Sequence, residues 1–226
     1  CGEGCAIVTS KVRSSTARPL GNVRVSPRVS IASSPADGCH ATEVLSAAES
    51  GGLRVVNLAS LLDPHPDDAV AVISRGEKTT YGQLRTQVAS FRGGLARLGL
   101  EPGDRVGLLC ANNWYFVVSY LATLGAGLVA VPLNPSSPRR EIERELAAIG
   151  ARALVVGPSA RDAFAAVDRG TTPALEYVIG PAGAGVGESA SFDQLLDADP
   201  VPVVDRDADD LAVLMFTSGT AGFPKA

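Results

Sequence analysis

The sequence predicts an α/β fold: a mostly parallel sheet with helices on its faces. Three observations carry that prediction. Short apolar runs rich in Val, Leu, Ile and Ala recur from residue 69 onward. Segments of helical period, several with capping residues at their starts, lie between most of them. The alternation falls at the spacing of βαβ units, whose parallel strands need a crossover helix. At 226 residues and 46% hydrophobic content, the chain can bury a real core.

Order is expected to begin near Asn57. Leu58, Leu61 and Leu62 stand at helical spacing, and the run 63–68, with Pro64 and Pro66, stops that short helix. Residues 69–73 read as a strand and 75–78 as a turn into Thr79, Thr80 and Tyr81. Thr80 with Gln83 forms a capping box. The helix it opens carries the stripe Leu84, Val88, Phe91, Leu95 and Leu98, and Gly99 can close it. Gly93 and Gly94 weaken that helix by roughly 1 kcal/mol each relative to alanine, which predicts close packing at the pair.

Residues 101–104 form a turn before a strand over 105–110. Asn113 caps a helix from Trp114 to about Gly125, and 128–132 is the next strand. Ser137 as cap and Pro138 at the first helical position open a helix to Ile149, with Gly150 just past its end. A strand over 153–156, a helix over 160–167 and a strand over 175–179 follow. Residues 180–190 read as a flexible loop, since Gly183 and Gly185 open a dinucleotide-like fingerprint but Glu188 stands where its last glycine should be. A short helix over 192–196 and the acidic connector 205–210 lead into an apolar strand over 211–216.

The first 54 residues differ in character. Ser, Thr, Arg, Val, Pro and Gly mix there without periodicity, which reads as loop or disorder. The chain opens on Cys1, so this segment is read as an upstream extension or translation artefact, with a regulatory tail as the alternative. Cys1, Cys5, Cys39 and His40 fall at no familiar zinc spacing, and Cys110 reads as an inert small core residue.

A net charge of −4 argues against nucleic acid as a partner. No apolar run reaches the length of a membrane span, and the start lacks a secretory pattern, so the expected compartment is the cytoplasm.

The chemistry is concentrated at the end of the chain. Thr217, Ser218, Gly219, Thr220, Ala221, Gly222, Phe223, Pro224 and Lys225 follow the last apolar run directly. A strand ending in such a loop presents backbone N–H groups, hydroxyls and one ammonium to a single point, the donors a triphosphate needs. The Walker pattern is not met, because Pro224 stands in place of its second glycine and Ala226 in place of the magnesium-binding hydroxyl. Lys11, Lys78 and Lys225 are the lysines among 20 basic residues, so a lysine in this loop is not a product of general abundance.

This run resembles the Thr-Ser-Gly-Thr-x-Gly-x-Pro-Lys signature of adenylate-forming enzymes, with Ala221 where many members carry a second threonine. Residues 79–84 resemble the family's Thr-Tyr-x-Glu-Leu motif and residues 121–134 its Leu-x-Ala-Gly-x-x-x-Val-Pro-Leu motif, in the same order. The likeness is closest to fatty-acyl-CoA synthetases. It implies that residues 55–226 are the N-terminal part of the large adenylate-forming domain, truncated after the phosphate loop. It further implies ATP-dependent activation of a carboxylic, in particular fatty, acid through an acyl-adenylate, with transfer to coenzyme A.

On this resemblance Thr217, Ser218, Gly219, Thr220, Ala221 and Gly222 wrap the β- and γ-phosphates and Lys225 offsets their charge. Mg2+ is implied as well, with ligands outside these residues. The later ribose, hinge and catalytic-lysine elements of the family are absent from the sequence, so the chain alone is expected to be inactive. Two alternatives remain: an adenylating enzyme that loads a carrier protein, and a non-catalytic nucleotide-binding or interaction module on the same scaffold.

Overall fold

The computed structural model describes residues 57–183, 185, 187–207 and 209–216. The segment 1–54, with Cys1, Cys5, Cys39 and His40, lies outside them. A 3-10 helix at Leu58–Leu62 comes first, with the Asn57 side chain accepting from the Ala59 N–H. Only one of its three leucines points inward: Leu62 is buried, whereas Leu58 and Leu61 are exposed.

An antiparallel hairpin is next, β1 (Val70–Ser74) paired with β2 (Glu77–Thr80). The expected turn over 75–78 is shorter in the structure, because Glu77 and Lys78 already pair with Ser74 and Ile73. Arg75 and Gly76 alone make the loop, both with positive φ, 53° and 86°. That geometry suits the right-handed twist of a two-residue hairpin.

Helix α1 (Tyr81–Arg97) starts at the expected capping box: Thr80 accepts from the Gln83 N–H while the Gln83 side chain accepts from the Thr80 N–H. Leu84, Val88, Phe91 and Leu95 are all buried. The βαβ part then runs β3 (Arg105–Leu109), α2 (Trp114–Gly125), β4 (Val129–Leu133), α3 (Arg139–Ile149) and β5 (Ala153–Val156). It continues through α4 (Arg161–Ala165), β6 (Tyr177–Gly180), β7 (Ala190–Ser191) and α5 (Phe192–Leu196).

The five strands β3 to β7 form one parallel sheet in the order β4-β3-β5-β6-β7. Its alternating side chains feed two cores. Val106, Leu108, Ala130, Ala153, Val155 and Ile179 face the layer of α1, α2 and α5. Leu109, Val129, Val131, Leu133, Leu154 and Val156 face α3 and α4.

Three expectations are corrected at element ends. Pro138 is the N-cap of α3 (φ −58°, ψ 148°) and not its first helical residue, because its ψ is still extended. The expected helix over 160–167 is split into a 3-10 turn at Pro158–Ala160 and the single turn α4. The run 211–216 makes one isolated bridge to β4 among the described residues, where the sequence predicts a full strand.

The glycine pair behaves as its sequence suggests. A Cβ on Gly93 would overlap the carbonyl oxygen of Asp199, and one on Gly94 would sit 2.5 Å from Cγ of Leu195. Helix α5 and the chain after it therefore lie directly on the α1 backbone. Phe192 fills the space between helices, with ring centroids 4.5 Å from Phe91, 4.8 Å from Tyr115 and 5.3 Å from Trp114. Burying such a ring contributes about 1.5–3 kcal/mol.

Candidate functional site at the carboxyl edge of the sheet

Parallel α/β sheets bind ligands outside the carboxyl ends of their strands, where adjacent strands send their connections to opposite faces. Here α2, which follows β3, lies on one face, and α3, which follows β4, lies on the other. The carboxyl ends of β3, β4 and β5 are therefore the candidate ligand-binding edge.

Each of these ends is shaped by local hydrogen bonds. After β3, the Asn113 side chain accepts from the Phe116 N–H and starts α2. After β4, Asn134 Oδ1 accepts from the Ser136 N–H at 2.9 Å, turning the chain away. After β5, the Gly157 N–H donates to the Leu109 carbonyl at 3.0 Å. Gly157 approaches Cys110 so closely that a Cβ there would lie 3.2 Å from its Cα and its Sγ. Cys110 itself is buried, and that burial pushes its thiol up to about 12, so it carries no thiolate at neutral pH. The inert reading of this cysteine holds.

The run 211–216 reaches this edge along the free side of β4. The Ala130 N–H donates to the Ala212 carbonyl at 2.9 Å and the Leu214 N–H donates to the Ala130 carbonyl at 3.0 Å. The bridge between Ala130 and Val213 is parallel, so the chain travels in the direction of the strands and passes Phe216 at their carboxyl side. Leu211, Leu214 and Phe216 pack on the core beneath α3, and Val213 packs on the opposite core. The predicted phosphate-loop residues Thr217, Ser218, Gly219, Thr220, Ala221, Gly222 and Lys225 lie outside the described residues.

Upstream of that run, the chain is strapped to the helical layer. Arg92 donates from Nε to the Val201 carbonyl at 2.8 Å and also from Nη2 to the same oxygen. The Val204 N–H donates to the Gly125 carbonyl at 2.8 Å, and Asn57 Nδ2, which donates to the Leu124 carbonyl at 2.7 Å, also reaches the Val204 carbonyl at 3.4 Å. An ion pair between Arg206 and Asp210, 3.0 Å apart, precedes residue 211. Farther along the sheet, Arg152 bridges Asp104 and Glu176; the hydrogen bonds it donates to Glu176 and then to Asp104 raise its pKa, and that of Glu176 is lowered by the same contact.

A second concavity, of about 380 Å³, opens between the β1–β2 hairpin and the start of α2. Ser74, Arg75, Gln87, Asn113, Trp114 and Tyr115 line it. The sequence does not signal it, because its walls come from elements about 40 residues apart, joined where the Trp114 N–H donates to Ser74 Oγ at 3.4 Å. Among the described residues, no group of three or more His, Cys, Asp or Glu side chains could hold a metal ion. None of the described helices is long and apolar enough to cross a membrane.

Residues 61–226 match the family model described as AMP-binding enzyme. A feruloyl-CoA synthase from Amycolatopsis sp is 34% identical over 166 residues, which cover 73% of this chain and 30% of that protein. A medium-chain acyl-CoA ligase from Homo sapiens, mitochondrial ACSF2, is 35% identical over 88 residues, covering 39% of this chain and 14% of that one. Among solved structures, the anthranilate CoA ligase AuaEII in complex with anthranoyl-AMP superposes with a TM-score of 0.69 at 25% identity, over 75% of this chain and 33% of that chain. The chain thus spans less than a third of the length of these curated relatives. With the family model matched over most of its length and its parallel sheet shared with an adenylate-forming ligase, the chain belongs to the AMP-binding enzyme family.

Proposed function

We propose that this chain is the phosphate-contacting part of an ATP-dependent acid–thiol ligase, which activates a carboxylic acid as its adenylate and passes the acyl group to coenzyme A. The observation that supports it most is the course of residues 211–216, which run parallel to β4 and head for the carboxyl edge of the sheet. A loop of hydroxyls, glycines and one lysine immediately after such a run is positioned for anion binding by backbone N–H groups. In this reading Thr217, Ser218, Gly219, Thr220, Ala221 and Gly222 surround the β- and γ-phosphates, and Lys225 supplies the counter-charge. The contribution is electrostatic positioning, not proton transfer.

The names of the relatives include acids of both aromatic and aliphatic kinds, feruloyl and medium-chain acyl. A fatty acid is the substrate proposed here, on the likeness of residues 131–135 and 216–222 to fatty-acyl-CoA synthetases. Mg2+ would accompany the triphosphate and offset its charge; no described residue set fits it as a protein-held ion, so no step is assigned to it.

The test uses a chimera in which residues 57–226 replace the matching third of the feruloyl-CoA synthase. A charge-assisted hydrogen bond contributes about 1.5–3 kcal/mol, so Lys225→Ala should weaken ATP binding by roughly 10- to 150-fold. Thr220→Val removes a neutral donor and should cost about 2- to 10-fold. Unchanged ATP affinity in Lys225→Ala, with binding abolished in Thr220→Val, would show that the lysine is not the principal counter-charge.

A further inference from the structure

Glu145 is a charged residue in a place where charge is not served. It lies on α3 between Ile142 and Ile149, which are buried against the sheet, and is itself only 5% exposed. Its Oε2 has no hydrogen-bond partner among the described residues. A buried carboxylate without donors is costly, and the ordinary outcome is that the group holds its proton.

The surroundings explain why no partner is at hand. The flank of α3 carrying Arg139 and Glu143 faces α4 and the segment just after it: Arg139 donates to the Ala166 carbonyl at 3.4 Å, and the Asp168 N–H donates to Glu143 at 2.8 Å. At about 100° per residue, Glu145 sits on the opposite flank. Since α4 connects β5 to β6, that opposite flank is turned toward β4 and the run 211–216 beyond it.

Neither element offers a charge, because residues 129–133 and 211–216 contain no ionisable side chain. Nor does β5, residues 153–156. Arg105 of β3 is exposed at the start of its strand, beside Gly150 at the far end of α3. Arg161, Asp162, Asp168 and Arg169 belong to the other flank, with α4 and the 3-10 turn after it. The charges that act on Glu145 are those of its own helix: Glu141, which disfavours ionisation, and Arg144, which favours it.

We propose that Glu145 couples its protonation to the seating of residues 211–216 on the edge of β4, so that this run is held most firmly when the carboxyl is neutral. Burial first, and Glu141 second, push the carboxyl up to about 7 from an ordinary value of 4.5. The sign comes from linkage. A carboxyl whose folded pKa is raised binds its proton more tightly in the native state, so its contribution is fully present below pH 4.5. It is lost as pH rises from there to about 7, and is constant above.

Two measurements on the full chain test this. Carboxyl 13C resonances should show Glu145 titrating near pH 7, and a midpoint in the ordinary range of about 4 to 5 overturns the proposal. Between about pH 5 and 7 the wild-type Tm should fall by roughly 3–5 °C per pH unit. Over the same range, amide-exchange protection at Leu214, whose N–H donates to Ala130, should decline. Glu145→Gln should flatten both profiles and raise both values at about pH 8. Parallel profiles in the two proteins, or exchange at Leu214 that ignores the substitution, overturn it. Should the variant fail to fold, the carboxyl titration decides alone. A matching loss of ATP affinity above about pH 7 rests on the phosphate-loop reading; the titration and the exchange at Leu214 need no nucleotide, so the two ideas fail separately.

Discussion

At the scale of single residues, burial decides what chemistry a side chain can do. Cys110 shows this on the carboxyl edge itself. It stands at the candidate ligand-binding edge, yet its Sγ lies against Gly157 and 3.7 Å from the Val155 carbonyl. Burial suppresses the thiolate, so alkylation by iodoacetamide should modify Cys110 only when the chain is unfolded in urea. Peptide mapping of labelled protein checks this, and equal labelling in native and denatured chains would contradict it. Glu145 makes the complementary point: in the sequence it is one more acidic residue in an amphipathic helix, and only the layer order reveals that its flank is covered.

Among elements, helix α1 carries the sharpest demand of sequence on packing. An alanine at either Gly93 or Gly94 would gain about 1 kcal/mol in helix propensity. Against that, the new Cβ at Gly93 meets a backbone carbonyl, which cannot rotate away as a side-chain tip can. Overpacking of this kind costs about 1–3 kcal/mol or more. Gly93→Ala should therefore be net destabilising by urea unfolding, with Gly94→Ala less so because part of its obstacle is the Leu195 side chain. Equal or greater stability in Gly93→Ala would mean that the segment after α5 is not seated on the α1 backbone.

Legibility tracks the strength of local signals. The capping box at Thr80 and Gln83, the strand Ala153–Val156 and the helix Phe192–Leu196 stand where the sequence puts them, because cap, period and length agree there. Strand β7 is two residues long and has no pattern to read. Glu77 and Lys78 look like a turn because an exposed ribbon tolerates charges that a core strand would not. The run 211–216 reads as a strand from apolarity alone, whereas pairing also needs a neighbour, and β4 is the one it has among the described residues. The cleft beside Trp114 is illegible in the sequence because it exists only between elements distant along the chain.

For the whole molecule, one parallel sheet with a core on each face positions the chain as it arrives at residue 217. Two straps do the placing: the contacts of Val201 with Arg92 and of Val204 with Gly125 hold the chain after α5 on the helical layer, and Ala130 holds 211–216 on the sheet. The most direct test is carboxylate-dependent exchange of pyrophosphate into ATP, measured on the 226-residue chain alone and on the chimera with feruloyl-CoA synthase. The chain spans 30% of that relative, so exchange should stay at background for the chain alone, appear in the chimera, and fall with Lys225→Ala. A folded chimera with no exchange, or robust exchange from the chain by itself, would contradict the account.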